Sequence, residues 1–162
     1  MPSRDELRLQ NWIQTLNEPD DEMSTIAAGK LAELNSSVAV PHLIKALRRT
    51  PNVAVESATA LGKIGDKSAV PALIELLDRH SNVHVQTAAA TALGRLQATS
   101  AIPVLKKTVT DYIEEHKTDR LAMTRGYRRG LFTTCLLALK QIGTRDAVRF
   151  AERAETASAA RL

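Results

Sequence analysis

Apolar residues recur along this chain at three- and four-residue intervals, not in the alternation of a strand. In "SATALGKIG", Ala58, Leu61 and Ile64 fall three apart, and in "VPALIELL", Val70, Leu73, Ile74 and Leu77 follow i, i+3, i+4, i+7. The two segments predict a pair of amphipathic helices. Gly65 between them is the residue expected just past a helix C-terminus, where φ is positive, and Asp66 is placed to cap the helix that follows. Pro71 stands near the start of the second helix, where the backbone N–H groups have no intrahelical partner to lose.

The same pattern is written several times. Leu31, Leu61, Leu93 and, more divergently, Leu139 form one column. Leu34, Ile64, Leu96 and Ile142 form a second, and Met23, Val53, Val85 and Leu131 a third. Pro41, Pro71 and Pro103 align, with Arg149 in that place in the fourth copy. Self-similarity at this period marks a solenoid, in which each unit buries its apolar face against the next. Gly62 and Gly94 fall late in two first helices, where a missing side chain permits close helix approach.

These observations predict an all-α fold in one domain. A capping helix spans 3–17, with Leu9, Trp12, Ile13 and Leu16 at helical spacing, and helix-pair repeats cover 20–49, 50–80, 82–116 and 117–157. The fourth repeat carries extra length around "TVTDYIEEHKTDRLAMTRGYRRG". There the second helix of the third repeat is expected to run to about His116, with a polar turn at 117–119 and the next helix over about 120–142.

The "ALGKIGD…AVPALIELL" signature resembles the HEAT-like repeats of the phycobilisome-lyase type. The resemblance implies a right-handed α-solenoid of HEAT-like helix pairs, about four repeats plus the N-terminal cap. It also implies a possible role among phycobilin lyase subunits or phycobilisome-associated factors, which bind phycobiliproteins or their bilin chromophores. Some other HEAT-like proteins hold iron through repeated His-Glu pairs, but this sequence contains no His-Glu dipeptide.

Composition narrows the chemistry. The chain is 44% apolar but only 3% aromatic, so its core is aliphatic and alanine-rich, poorly suited to a deep aromatic-lined cavity. One cysteine, Cys135, excludes an internal disulfide and fits a reducing, cytoplasmic setting. No signal-like run opens the sequence, and no window approaches the roughly 20 apolar residues that span a bilayer. His80 and His84 are spaced as metal ligands could be on one helix, but Ser81–Asn82 is expected to break the helix between them, so no metal site is expected. Cys135 lies in the apolar run "CLLAL" without an adjacent base. No phosphate loop, nucleophile elbow or paired catalytic carboxylates occur, so the sequence offers no catalytic constellation.

Two surface features remain. Second helices of a solenoid commonly line its concave face, and four residues beyond the proline column stand Lys45, Glu75, Lys107 and Arg153. Eight beyond stand Arg49, Arg79 and Asp111. This mostly basic ladder with acidic breaks suits a partner bearing an acidic patch. The second feature is "TRGYRRG", where Arg125, Arg128 and Arg129 form one basic edge beside Tyr127. Arginine forks grip carboxylate or phosphate, and Arg and Tyr favour binding hot spots.

The residues therefore favour a non-enzymatic protein-binding adaptor without a cofactor. The alternative implied by the resemblance is a lyase-like factor binding phycobiliprotein or bilin, with arginines meeting the bilin propionates. Nucleic-acid binding is a further alternative. Residues 1–80 carry 9 Lys/Arg and 11 Asp/Glu, whereas 81–162 carry 13 and 7. The basic second half fits polyanions, but Glu75, Asp111, Glu114 and Glu115 interrupt it.

Overall fold

A computed structural model describes residues 2–118 and 127–159. Among these, the chain forms nine α-helices joined by short turns, with no strand. The first helix, α1 (Arg4–Asn17), opens with a capping box. The Ser3 hydroxyl accepts from the Glu6 N–H at 3.2 Å, and the Glu6 carboxylate accepts from the Ser3 N–H at 2.6 Å. Leu16 is buried and Leu9, Trp12 and Ile13 pack half-buried on the core, as their spacing predicted.

Four helix pairs follow: α2 (Asp21–Leu34) with α3 (Val40–Ala46), α4 (Pro51–Ile64) with α5 (Val70–Arg79), α6 (Val83–Arg95) with α7 (Ile102–Thr118), and α8 (Tyr127–Ile142) with α9 (Arg145–Ala159). The column Leu31, Leu61, Leu93 and Leu139 is fully buried in all four pairs. Each turn within a pair uses one left-handed residue at the same register: Asn35 (φ 48°), Gly65 (80°), Gln97 (49°) and Gly143 (76°). Glycine adopts this conformation without steric cost and asparagine tolerates it, whereas Gln97 holds it under strain. Asp66 caps a short 3-10 turn ahead of α5, its carboxylate accepting from the Ser68 N–H at 2.9 Å. That backbone hydrogen bond holds the Asp66 carboxyl below its ordinary pKa.

The two layers differ in spacing. First helices touch almost backbone to backbone. A Cβ added to Gly62 would stand 2.9 Å from the Ala92 Cα, and one added to Gly94 would stand 2.9 Å from the Ala138 Cα. Second helices stand further apart, leaving open grooves between α3 and α5 and between α5 and α7. A stack that is tight in one layer and open in the other bends toward the tight layer. On this spacing the first helices lie on the inner side, which corrects the expectation that the second helices line a concave face.

Charged and aromatic ties close the ends. The Arg49 guanidinium donates to the Leu16 carbonyl (2.7 Å), the Ser24 hydroxyl (2.7 Å) and the Asp21 carboxylate (2.8 Å), binding the end of α3 to α1 and α2. At the other end Tyr112 stacks on Phe132 with centroids 4.5 Å apart, joining α7 to α8.

Candidate functional site

Of the ladder residues, Lys45, Glu75, Arg79 and Lys107 flank the grooves between second helices. The groove between α3 and α5 measures about 450 Å³. Ile44, Ala72 and Leu76 form its floor, and Lys45, Arg48, Arg79 and Glu75 line its rim, with His80 at one end. Arg48 reaches Glu75 at 4.0 Å, a long contact between two exposed side chains that contributes little. Lys45 and Arg79 are both exposed. Three cations thus face one carboxylate over an apolar floor.

The next groove, between α5 and α7, measures about 560 Å³, with Ile74 and Val104 among its lining residues and prolines Pro71 and Pro103 at its edge. Its electrostatics differ. The Lys107 ammonium donates to the Asp78 carboxylate at 2.7 Å. This hydrogen bond and the accompanying Coulomb attraction hold Asp78 below and Lys107 above their ordinary pKa values. Asp111 adds a smaller pull on the Lys107 proton. Glu75 and Arg79 contribute opposite charges to the same groove, so it is close to neutral.

Arg49 departs from the ladder. It borders a small groove between α1 and α3 but makes three internal hydrogen bonds, and its side chain is only 24% exposed. Arg153 stands exposed on α9, beside Arg149 and Glu152 in a shallow depression of that helix. The ladder is therefore not one continuous surface of equivalent charges.

The arginine-rich segment is divided as well. Arg125 and the side chain of Tyr127 lie outside the described residues. One nitrogen of Arg128, Nη1, donates to both oxygens of the Glu115 carboxylate at 2.6 and 2.5 Å, a charge-assisted contact that ties α8 to the end of α7. Arg129 is exposed. Sequence reasoning missed Arg48 and Asp78, which fall seven residues beyond Pro41 and Pro71, on the same helix face as the counted positions.

The other sequence candidates have structural surroundings. His80 and His84 are separated by the turn between α5 and α6, and the His80 Nδ1 accepts from the Asn82 N–H at 3.0 Å. Among the described residues no group of three or more potential ligands could hold a metal ion. Cys135 is fully buried, and burial pushes its thiol pKa up to about 12, which suppresses the thiolate a nucleophile needs. No described helix is long and apolar enough to cross a membrane.

Comparison with known proteins follows the same lines. The HEAT repeats family matches residues 40–115. No curated protein matches the sequence significantly. Among solved structures, the complex of CpcE and CpcF of phycocyanin lyase from Nostoc sp. PCC7120 is similar, with a TM-score of 0.75 and 28% sequence identity. The similarity covers 94% of this chain and 63% of that one, so this chain spans less than two thirds of the lyase chain it matches. The repeated register, the paired helices and these two matches make the chain an α-solenoid that carries HEAT repeats over residues 40–115 and is similar to the HEAT-like repeat proteins of the phycobilisome-lyase type.

Proposed function

We propose that this protein handles phycobiliproteins or their bilin chromophores, as a lyase-like or phycobilisome-associated factor. The observation that carries the reading is the similarity over 94% of the chain, at 28% identity, to a phycocyanin lyase complex. It favours this function over the general adaptor suggested by the charge pattern alone. A bilin is an apolar, elongated substrate bearing carboxylates, and the α3–α5 groove offers matching chemistry: an apolar floor of Ile44, Ala72 and Leu76 beneath Lys45, Arg48 and Arg79. In this reading the cations orient the substrate through its carboxylates, while a partner phycobiliprotein supplies the group that receives it. Arg125 and Arg129 are candidate contacts to that partner's acidic surface.

The test is a titration of purified protein with a free bilin, followed by visible absorbance. A saturable spectral change, lost in the Lys45→Glu, Arg79→Glu double variant, is the expected result. An unchanged spectrum at saturating bilin removes the pigment-binding reading and leaves only contact with the phycobiliprotein itself.

A further inference from the structure

His80 has no counterpart in the repeat. Nine residues beyond the proline column, the other copies carry Thr50, Tyr112 and Ser158. Thr50 opens α4 and Tyr112 stacks on Phe132, so each of those two has a structural place. Only the second copy puts a histidine at this register, and its ring lines the end of the α3–α5 groove, next to Arg79.

The backbone holds that ring in one orientation. His80 ends α5 in extended conformation (φ −78°, ψ 134°), and its own N–H donates to the Leu76 carbonyl at 3.2 Å. The ring Nδ1 accepts from the Asn82 N–H at 3.0 Å. Asn82 is itself fixed as the cap of α6, its side-chain oxygen accepting from the His84 and Val85 N–H groups at 2.9 and 3.4 Å. In a neutral imidazole one nitrogen accepts and the other carries the proton, and the partner of the first decides which is which. An Nδ1 that accepts from backbone leaves the proton on Nε2. The two nitrogens face nearly opposite sides of the ring, so the Nε2–H points away from the turn. The groove thus has two kinds of donor: the mobile cations Lys45, Arg48 and Arg79 on its rim, and one neutral, fixed N–H at its end.

We infer that His80 is a specificity-determining residue of this groove, whose Nε2–H donates to a neutral carbonyl oxygen at one end of the ligand while the rim cations take the carboxylates. The inference rests on the pigment reading, under which that acceptor is a terminal lactam carbonyl of the bilin. The two kinds of donor do different work. Long, exposed cationic side chains pair with a carboxylate from many directions, so they hold an elongated ligand without fixing its position along the apolar floor. A short N–H···O contact is directional, and a donor oriented before binding loses little freedom when the ligand arrives. His80 therefore sets where along the groove the ligand stops.

The test has two arms, both on the full chain. Nitrogen-15 NMR at about pH 8, where an ordinary imidazole is neutral, reads the tautomer. A protonated Nε2 and a bare Nδ1 are expected at His80, with its signals assigned by their loss in His80→Phe. The second arm titrates free bilin and follows visible absorbance. His80→Phe keeps a ring but no donor, and should weaken binding about three- to tenfold. That factor should be the same at low and high salt, whereas the loss in Arg79→Gln should shrink as salt rises. His80→Gln keeps an amide N–H of similar reach and should recover most of the affinity. Both His80 variants lose the bond from the Asn82 N–H to Nδ1, so a purely structural role would weaken them alike. Circular dichroism verifies that each variant is folded. With the wild type binding bilin, a protonated Nδ1, unchanged affinity in His80→Phe, or equal losses in the two His80 variants overturns this inference alone. Failure of the wild type to bind bilin overturns the pigment reading and this inference with it.

Discussion

Replacing Gly62 by Ala tests the tightness of the first-helix layer. In an open helix interior the exchange stabilises by about 1 kcal/mol, because glycine loses more backbone entropy on folding. At Gly62 the new methyl would lie 2.9 Å from the Ala92 Cα and 3.0 Å from its Cβ. The first of these is backbone of a packed helix, so relief requires α4 and α6 to separate. Overpacking of this kind costs about 1–3 kcal/mol. Set against the propensity gain, the net expectation runs from no gain to a loss of about 2 kcal/mol. Gly130→Ala provides the control, since nothing stands within 4 Å of its added Cβ, and it should gain up to about 1 kcal/mol. Gly29→Ala falls between, because its nearest neighbour at 3.2 Å is the flexible end of Glu56. Urea unfolding of the three variants measures the differences. Equal stabilisation at Gly62 and Gly130 would refute close approach in this layer.

Other predictions follow from single features. Arg49→Ala should destabilise by about 2–3 kcal/mol in chemical unfolding, because it removes a charged donor from three acceptors and leaves Ser24 in a buried site. Gln97→Gly should raise stability by about 1 kcal/mol in the same assay by relieving a left-handed non-glycine residue. Asp78→Asn should bring the Lys107 pKa down toward its ordinary value, measured by NMR titration of the ammonium group. In the native protein Asp78 is depressed and Lys107 raised, so the pair's contribution is present between the two ordinary pKa values. It is lost as pH falls through the Asp78 pKa and again as pH rises through that of Lys107. Both groups are exposed, so added salt should weaken the coupling.

Much of the architecture was legible because burial repeats. The leucine column, the prolines opening second helices and Gly65 at its turn each have one physical role per unit, and repetition exposes that role. Gly62 and Gly94 were readable for the same reason. Gln97 was not, since glutamine does not announce a positive φ; only its register with Asn35 and Gly65 does. Arg49 lay on the counted ladder, but its inward turn depends on Leu16, Asp21 and Ser24, which come together only in the fold. The charge pattern marked the second helices in the sequence.

The central functional claim is association with a phycobiliprotein. Light scattering coupled to size exclusion, on purified chain mixed with an apo-phycobiliprotein subunit, tests it most directly. A complex of defined stoichiometry, formed at micromolar concentration and absent with an unrelated all-helical protein, is the predicted result. Separate elution of the two components, with free bilin both absent and present, would contradict it.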